Sequence, residues 1–481
     1  MNEEYLTISR RTLLASSLLA GGSVIAAGCV ANPVLLDDPS WLDNPWSRAD
    51  RIVGEIGQVE IPARQFAITE FGALDNDGSD ARPAIQSAIA AAHAAGGGRV
   101  IIPSGLWLSD GPIHYRSNVE LHLAEGAHLR FLPNVEQYLP PVRTRWEGTE
   151  LYTYSPMLYA ENCENIALTG SGTVDGQGEQ YWLPWRDTQR PIQRLLRDMG
   201  RDGVPVEERL FVGERRLRPY FVQFNRCRRV LVDGPRLIDS PFWMVHPLFC
   251  EDVIIRNIRC KSDHVNSDGV DPDSSRRVLI ENCDFDVGDD GVSLKSGRDQ
   301  DGWRVGIPTE NVVVRNCTYS GSAGGGMAIG SEMSGGVRNI FVDGYDLPRA
   351  VHTLYFKANL DRGGLISDIY IRNINAGETQ SLLVFTNDYH SYRGGNYPPQ
   401  FERVLIESVQ VDRTVVGISI DGHENAPVRD VVIRNLTMGE AEFPLKVSNA
   451  ERITLDRVLV GGRALTMADA IPVDSGQLGG Y

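Results

Sequence analysis

Asp252-Val253-Ile254-Ile255-Arg256-Asn257 sets the pattern for most of the chain. It returns as Arg277-Val278-Leu279-Ile280-Glu281-Asn282 and as Asn311-Val312-Val313-Val314-Arg315-Asn316. Each copy has a charged or amide residue, an apolar run rich in Val and Ile, then Asn or Asp, and leads into a turn rich in Gly or Ser. The same marker recurs near Ile166, Val230, Val253, Val278, Val312, Ile340, Ile369, Val404, Val431 and Ile453. Typical intervals run from about 22 to 35 residues, the range of solenoid repeats. Alternating β-branched residues predict short strands with one face in and one face out. No long amphipathic helix separates the copies, so they are not βαβ units. The leucine ladder of a leucine-rich repeat is missing, and the repeat is too short for a four-stranded propeller blade. What remains is an all-β chain whose rungs coil into a parallel β-helix.

Working outward, the cysteines keep the same rhythm. Cys163, Cys227 and Cys250 each fall three residues before a marker, and Cys283 and Cys317 five after one. Equivalent positions on stacked rungs lie about 4.8 Å apart, so these are read as stacked, buried and unbridged. A solenoid must cap its ends against edge pairing. Ala81–Ala95 reads as a capping helix, with Pro83 in its first turn and Gly96-Gly97-Gly98 ending it. The expected organisation is a signal segment 1–29, a linker 30–65, a cap with first rungs 66–160, the β-helix 161–465 with an insertion 179–220, and a tail 466–481. The insertion is expected to be a loop over one face.

The 481 residues exceed one ordinary compact core but suit a repeat architecture. Hydrophobic content of 42% and charged content of 23% fit a folded, soluble chain. A formal charge of −16 argues against nucleic acid as a partner. It also means that an acidic ligand would need a local basic patch, and the stretch from Arg186 to Arg218 holds nine arginines. Ser9-Arg10-Arg11-Thr12-Leu13-Leu14 is a twin-arginine pattern. A short apolar run ends at Ala26-Ala27-Gly28-Cys29, similar to a bacterial lipobox, with ordinary cleavage near Ala27 as the alternative. Either way the mature chain is expected outside the cytoplasm, and a lipid on Cys29 would attach it to a membrane.

Three carboxylates fall at similar depths of adjacent repeats. Asp268 lies 15 residues after Val253, and Asp289 and Asp290 lie 11 and 12 after Val278. Each sits beside glycine, in Asn266-Ser267-Asp268-Gly269 and Gly288-Asp289-Asp290-Gly291. Isolated Asp-Gly pairs are turn signals, but three in register form a cluster. Crowded carboxylates repel and raise at least one pKa. That gives a protonated acid beside an ionised base, the need of glycoside hydrolysis, with a spacing of about 6.5–9.5 Å in inverting enzymes. The same oxygens could instead bind calcium. Lys357, after Tyr355-Phe356 and ahead of Arg362, lies at a matching depth and could pair with a sugar carboxylate. Trp243 could stack on a sugar ring or pack inside. His246 and His264 lie near the same face without an assigned role.

These residues resemble glycoside hydrolase family 28, the polygalacturonases. Asn266-Ser267-Asp268-Gly269 and Gly288-Asp289-Asp290 carry the likeness, with Lys295-Ser296-Gly297-Arg298, Gly330-Ser331-Glu332 and Ser334-Gly335-Gly336-Val337-Arg338-Asn339. The resemblance implies a right-handed, pectin-lyase-like β-helix that cuts pectic chains, with Asp289 as general acid and Asp268 and Asp290 on the water. Asn266, Lys295, Tyr355, Lys357, Arg362 and Trp243 would line the substrate. Two departures stand out: Gly324 or Gly325 replaces the family's histidine, and Tyr355 its arginine. They make a methylated, branched or rhamnose-containing pectic substrate an alternative to plain polygalacturonan, and the arginine-rich segment would close one end of the groove for exo-action. No cofactor and a monomer are expected. The alternatives are a calcium-dependent pectate lyase and a non-catalytic, pectin-binding surface lipoprotein.

Overall fold

The computed structural model describes residues 39–473, apart from 77 and 391–392. The signal segment, Cys29 and the end of the tail lie outside the described residues. Among those described, no helix is long and apolar enough to cross a membrane.

The chain forms a right-handed parallel β-helix. Its ten sequence markers stand in one column: Ile166 pairs with Val230, then Val253, Val278, Val312, Ile340, Ile369, Val404, Val431 and Ile453. Two corners frame each of these strands. The residue before every marker has a positive φ, from Asn165 at 60° through Asp252 at 60° to Arg452 at 55°. So does the fourth residue after it: Gly170, Gly234, Asn257, Asn282, Asn316, Gly344, Asn373, Ser408, Asn435 and Arg457. Asn, Asp and Gly enter this left-handed region most easily, so the polar bracket around each apolar run is a pair of bends.

Side chains at the markers fill the solenoid, where Val253, Val278, Val312 and Ile340 are fully buried. Cys163, Cys227, Cys250, Cys283 and Cys317 are buried and unbridged, as expected, and so is Cys260. The described chain has four α-helices: α1 (Pro45–Glu55), α2 (Arg82–Ala94), α3 (Arg186–Arg201) and α4 (Asp299–Val305). Helix α2 covers the N-terminal opening with Ile85, Ala88, Ile89 and Ala92. At the other end Leu459–Val460 turn back on Arg463–Ala464 in an antiparallel pair, with Leu465 buried beneath.

Two segments differ from expectation. Residues 30–65 were expected as a linker, yet α1 lies within them. Trp41, Ala49, Ile52 and Ile56 pack on Ile254, Leu279, Val313, Phe341, Tyr370, Leu405 and Val432. Each of those seven follows a marker directly and points outward, so α1 covers an apolar stripe that alternation alone would have left wet. The insertion 179–220 is not merely a loop, since it contains the 16-residue α3. Leu196 of α3 joins Trp146, Leu151, Phe211, Leu217, Tyr220, Phe242 and Trp243 in a separate core. Through Trp243, whose ring centroid lies 4.5 Å from Lys295 Nζ, that core borders the face that carries the carboxylates.

Candidate active site

The face holding the carboxylates is built from strands stacked as Val245, Val270, Val292, Met327, Leu354 and Leu383. Asp268 and Asp290 each stand two residues before their member of this stack, on neighbouring rungs, and the Gly269 N–H donates to the Asp290 carbonyl at 2.9 Å. Asp289 projects from the turn beside them. One oxygen from each of Asp268, Asp289 and Asp290 lies within 4.8 Å of the others. The three are brought together as expected, but more tightly than the 6.5–9.5 Å spacing anticipated for a water between opposed carboxyls. Glycine permits this closeness, because a Cβ on Gly324 (φ 72°) would sit 2.6 Å from the Asp289 carbonyl carbon and the Asp290 nitrogen.

The three environments differ. Asp290 is fully buried and accepts three hydrogen bonds: Lys357 Nζ donates to Oδ2 at 2.7 Å, Ser293 Oγ to Oδ2 at 2.9 Å, and the Gly325 N–H to Oδ1 at 2.8 Å. Burial pushes its pKa up, but Lys357 and Lys295 overcome this and hold it below the usual carboxylate value. Asp289 is only partly buried and receives two backbone donors, Asn266 N–H on Oδ2 and Asp290 N–H on Oδ1, both at 3.0 Å. Burial, then the charge of Asp290, raises its pKa. Asp268 is buried with Oδ1 lacking a partner among the described residues, and burial followed by Asp271 raises its pKa well above the ordinary value.

Several expected substrate contacts are engaged by the protein itself. Lys357 places one of its three N–H donors on Asp290. Lys295 is buried among Asp268, Asp271 and Glu332 at 3.5–3.6 Å and lies 4.5 Å from the Trp243 ring centroid. Trp243 is 2% exposed and stacked against Phe242, so it packs rather than presenting a face to sugar. Tyr355 is buried with Ala328 and Val384. Arg362 is buried against Ser331 and Asp299. Asn266 accepts from Arg218 Nη2 at 2.7 Å. His246 bonds Gln223 and His264 contacts Asp239, which gives each a partner away from the carboxylates.

Other residues of the site had no clear signal in the repeat. Asp271 is fully buried, with neither oxygen hydrogen-bonded among the described residues, 3.5 Å from Lys295. Glu332 pairs with Arg298, which reaches the Glu147 carbonyl, and Glu147 in turn holds Arg197 of α3 at 2.7 Å. The Tyr389 ring centroid lies 5.1 Å from Lys357 Nζ. Arg218 was visible only as one of nine arginines.

The donor set suits a divalent cation poorly. Calcium takes six to eight oxygens, and here two ammonium groups already stand against the carboxylates. Those lysines are also poor bases for proton abstraction. Burial pulls their pKa values down, but the surrounding carboxylates more than reverse this and keep both charged.

Residues 212–454 match the family model described as Glycosyl hydrolases family 28. A probable polygalacturonase of Vitis vinifera is 24% identical over 408 residues, covering 82% of this chain and 78% of that one. An endo-polygalacturonase of Pectobacterium carotovorum subsp. carotovorum is 24% identical over 389 residues, covering 76% and 86%. The crystal structure of a hyperthermoactive exopolygalacturonase from Thermotoga maritima is similar at 37% identity and a TM-score of 0.82, covering 88% of this chain and 97% of that one.

Proposed function

The chain belongs to glycosyl hydrolases family 28 as a polygalacturonase-like glycosidase, and on that basis we propose that Asp289, Asp290 and Asp268 hydrolyse α-galacturonosidic bonds at the end of a pectic chain. Asp289 donates its proton to the glycosidic oxygen. The bond from the anomeric carbon to that oxygen breaks with its electron pair on the leaving group. Asp290 takes a proton from a water held with the help of the unpartnered Asp268 Oδ1, and the water oxygen bonds to the anomeric carbon. Asp289 ends ionised and Asp290 protonated, and solvent restores both.

One observation carries this reading: the unlike settings of two adjacent carboxyls. Asp290 is tied by Lys357, Ser293 and Gly325, while Asp289 has backbone donors only and reaches the surface. The spacing alone is nearer to that of retaining enzymes, which place their carboxyls about 5–5.5 Å apart. The bonding of Asp290 supports inversion, because three donors hold the carboxylate in place and leave one lone pair on Oδ1 to take a proton from water. The packed core beside Trp243, and the exo-acting name of the Thermotoga protein, support entry from one side only. The twin-arginine pattern and Cys29 support export with a lipid anchor.

Product analysis tests this. The reading expects galacturonate monomer from the first minutes on polygalacturonate, with the β-anomer seen first by proton NMR. Mixed oligomers would overturn end-wise action, and an initial α-anomer would overturn inversion.

A further inference from the structure

The segment with nine arginines supplies one that is fully buried yet has no acidic partner. Arg218 is 0% exposed, and among the described residues no carboxylate lies within ion-pair distance of it. Its Nη1 donates to the carbonyls of Pro241 at 3.2 Å and Val265 at 3.3 Å, and its Nε to Gln189 Oε1 of α3 at 3.4 Å. Its guanidinium carbon lies 4.9 Å from the Phe242 ring centroid, and Phe242 stacks on Trp146. Glu147, Asp289 and Asp268 act on it only from beyond ion-pair distance, and burying a cation with no direct ion pair is costly, so stability alone does not account for it.

Its shortest contact explains the placement. Nη2 donates to Asn266 Oδ1 at 2.7 Å, and the Asn266 N–H donates to Asp289 Oδ2 at 3.0 Å. Asn266 holds a φ of 62°, a left-handed bend that aims this N–H at the carboxyl. We propose that Arg218 is a positioning residue for Asp289: it fixes Asn266, which fixes the carboxyl that protonates the leaving oxygen. This rests on Asp289 being the acid. It also links the insertion to the chemistry, since Gln189 of α3 holds the other side of the same guanidinium.

The charged and titratable groups around Asp289 are Asp290, Asp268, Asp271, Lys357, Lys295, Arg218, Tyr319 and Tyr389. Removing the Arg218 charge and loosening the Asn266 N–H both favour the neutral carboxyl. The alkaline limb of kcat should therefore move to higher pH.

Arg218→Met, Arg218→Lys, Asn266→Gly and the double variant Arg218→Met/Asn266→Gly test this, with Asp289→Asn as control and thermal melting as the check on folding. Asn266→Gly keeps the positive φ and the N–H but removes Oδ1, so it serves even if Arg218→Met does not fold. We expect Arg218→Met to lower kcat about 100-fold, with KM within about threefold and the alkaline limb shifted up. Arg218→Lys should lower kcat with a smaller shift, because it keeps the charge. Asn266→Gly should lower kcat as Arg218→Met does but, keeping the charge, move the alkaline limb less, and the double variant should lower kcat little further than Arg218→Met. A folded Arg218→Met with parental kcat, or an unmoved alkaline limb in both Arg218→Met and Asn266→Gly, would overturn the proposal. If Asp289→Asn keeps its turnover, the acid assignment itself fails. If Asp289→Asn is inactive while the other variants keep the parental profile, only the role of Arg218 fails.

Discussion

Asp289 and Asp290 share a peptide bond, and Lys357 makes its ion pair with Asp290 alone. Burial pushes both carboxyls up, and the ammonium brings Asp290 back below its ordinary value of 3.8. The acid must be protonated and the base ionised, so activity should span the ordinary carboxylate range. The acid limb should lie below 3.8 and the alkaline limb above it. Lys357→Met should raise the acid limb, because Asp290 then holds its proton to higher pH, and a pH profile of kcat/KM checks this. Asp289→Asn should lower kcat by about 10²–10⁴, the usual worth of a general acid, with oligogalacturonide binding kept in calorimetry. The three carboxyls were legible from their depth in the repeat and the glycines beside them. What Lys357, Lys295 and Trp243 touch was not, because depth in a rung fixes the side of the solenoid but not which neighbour a long side chain meets. The Gly at 324 becomes intelligible only in space, where any side chain would strike the Asp289–Asp290 backbone.

At the scale of elements, the strands were legible and the segments laid over them were not. Each marker column came directly from Val and Ile spacing. The run Val253-Ile254-Ile255 is apolar at three successive positions, however, and a strand facing water on one side should alternate. The missing polar residue marks the stripe that α1 covers. The helix itself is hard to see, because its sequence (Pro45–Glu55) has few apolar residues and lies beyond the repeat. Ile52→Ala should lower stability by about 2–5 kcal/mol, the range for a truncated buried Ile, and leave kcat unchanged. Denaturant unfolding with a parallel activity assay checks this. Helix α3 was obscured by its charge and by Pro191 within it. If action is end-wise, as proposed, the core that α3 helps to build beside Trp243 limits entry, so loosening it should affect chain-end selection. Leu196→Ala should raise the share of oligomers among the early products of polygalacturonate, as read by anion-exchange chromatography.

The whole molecule carries a formal charge of −16 yet belongs to a family that acts on polyanions. The arrangement of charge resolves the conflict. Lys295, Lys357, Arg298, Arg362, Arg197 and Arg218 gather at one face, where buried carboxylates hold the lysines charged. Most of these cations are paired with carboxylates, and salt confines the influence of the distant net charge to about 8–10 Å. The same ammonium groups favour hydrolysis over calcium-dependent elimination, because they pair with Asp268 and Asp290 and are too strongly protonated to act as bases.

The most direct test of that claim is incubation with polygalacturonate in EDTA, following reducing ends and the ultraviolet absorption of unsaturated uronide beside Asp289→Asn. The account predicts new reducing ends without absorption, lost in the variant. An unsaturated product that disappears in EDTA and returns with calcium, or reducing ends that persist in Asp289→Asn, would contradict it.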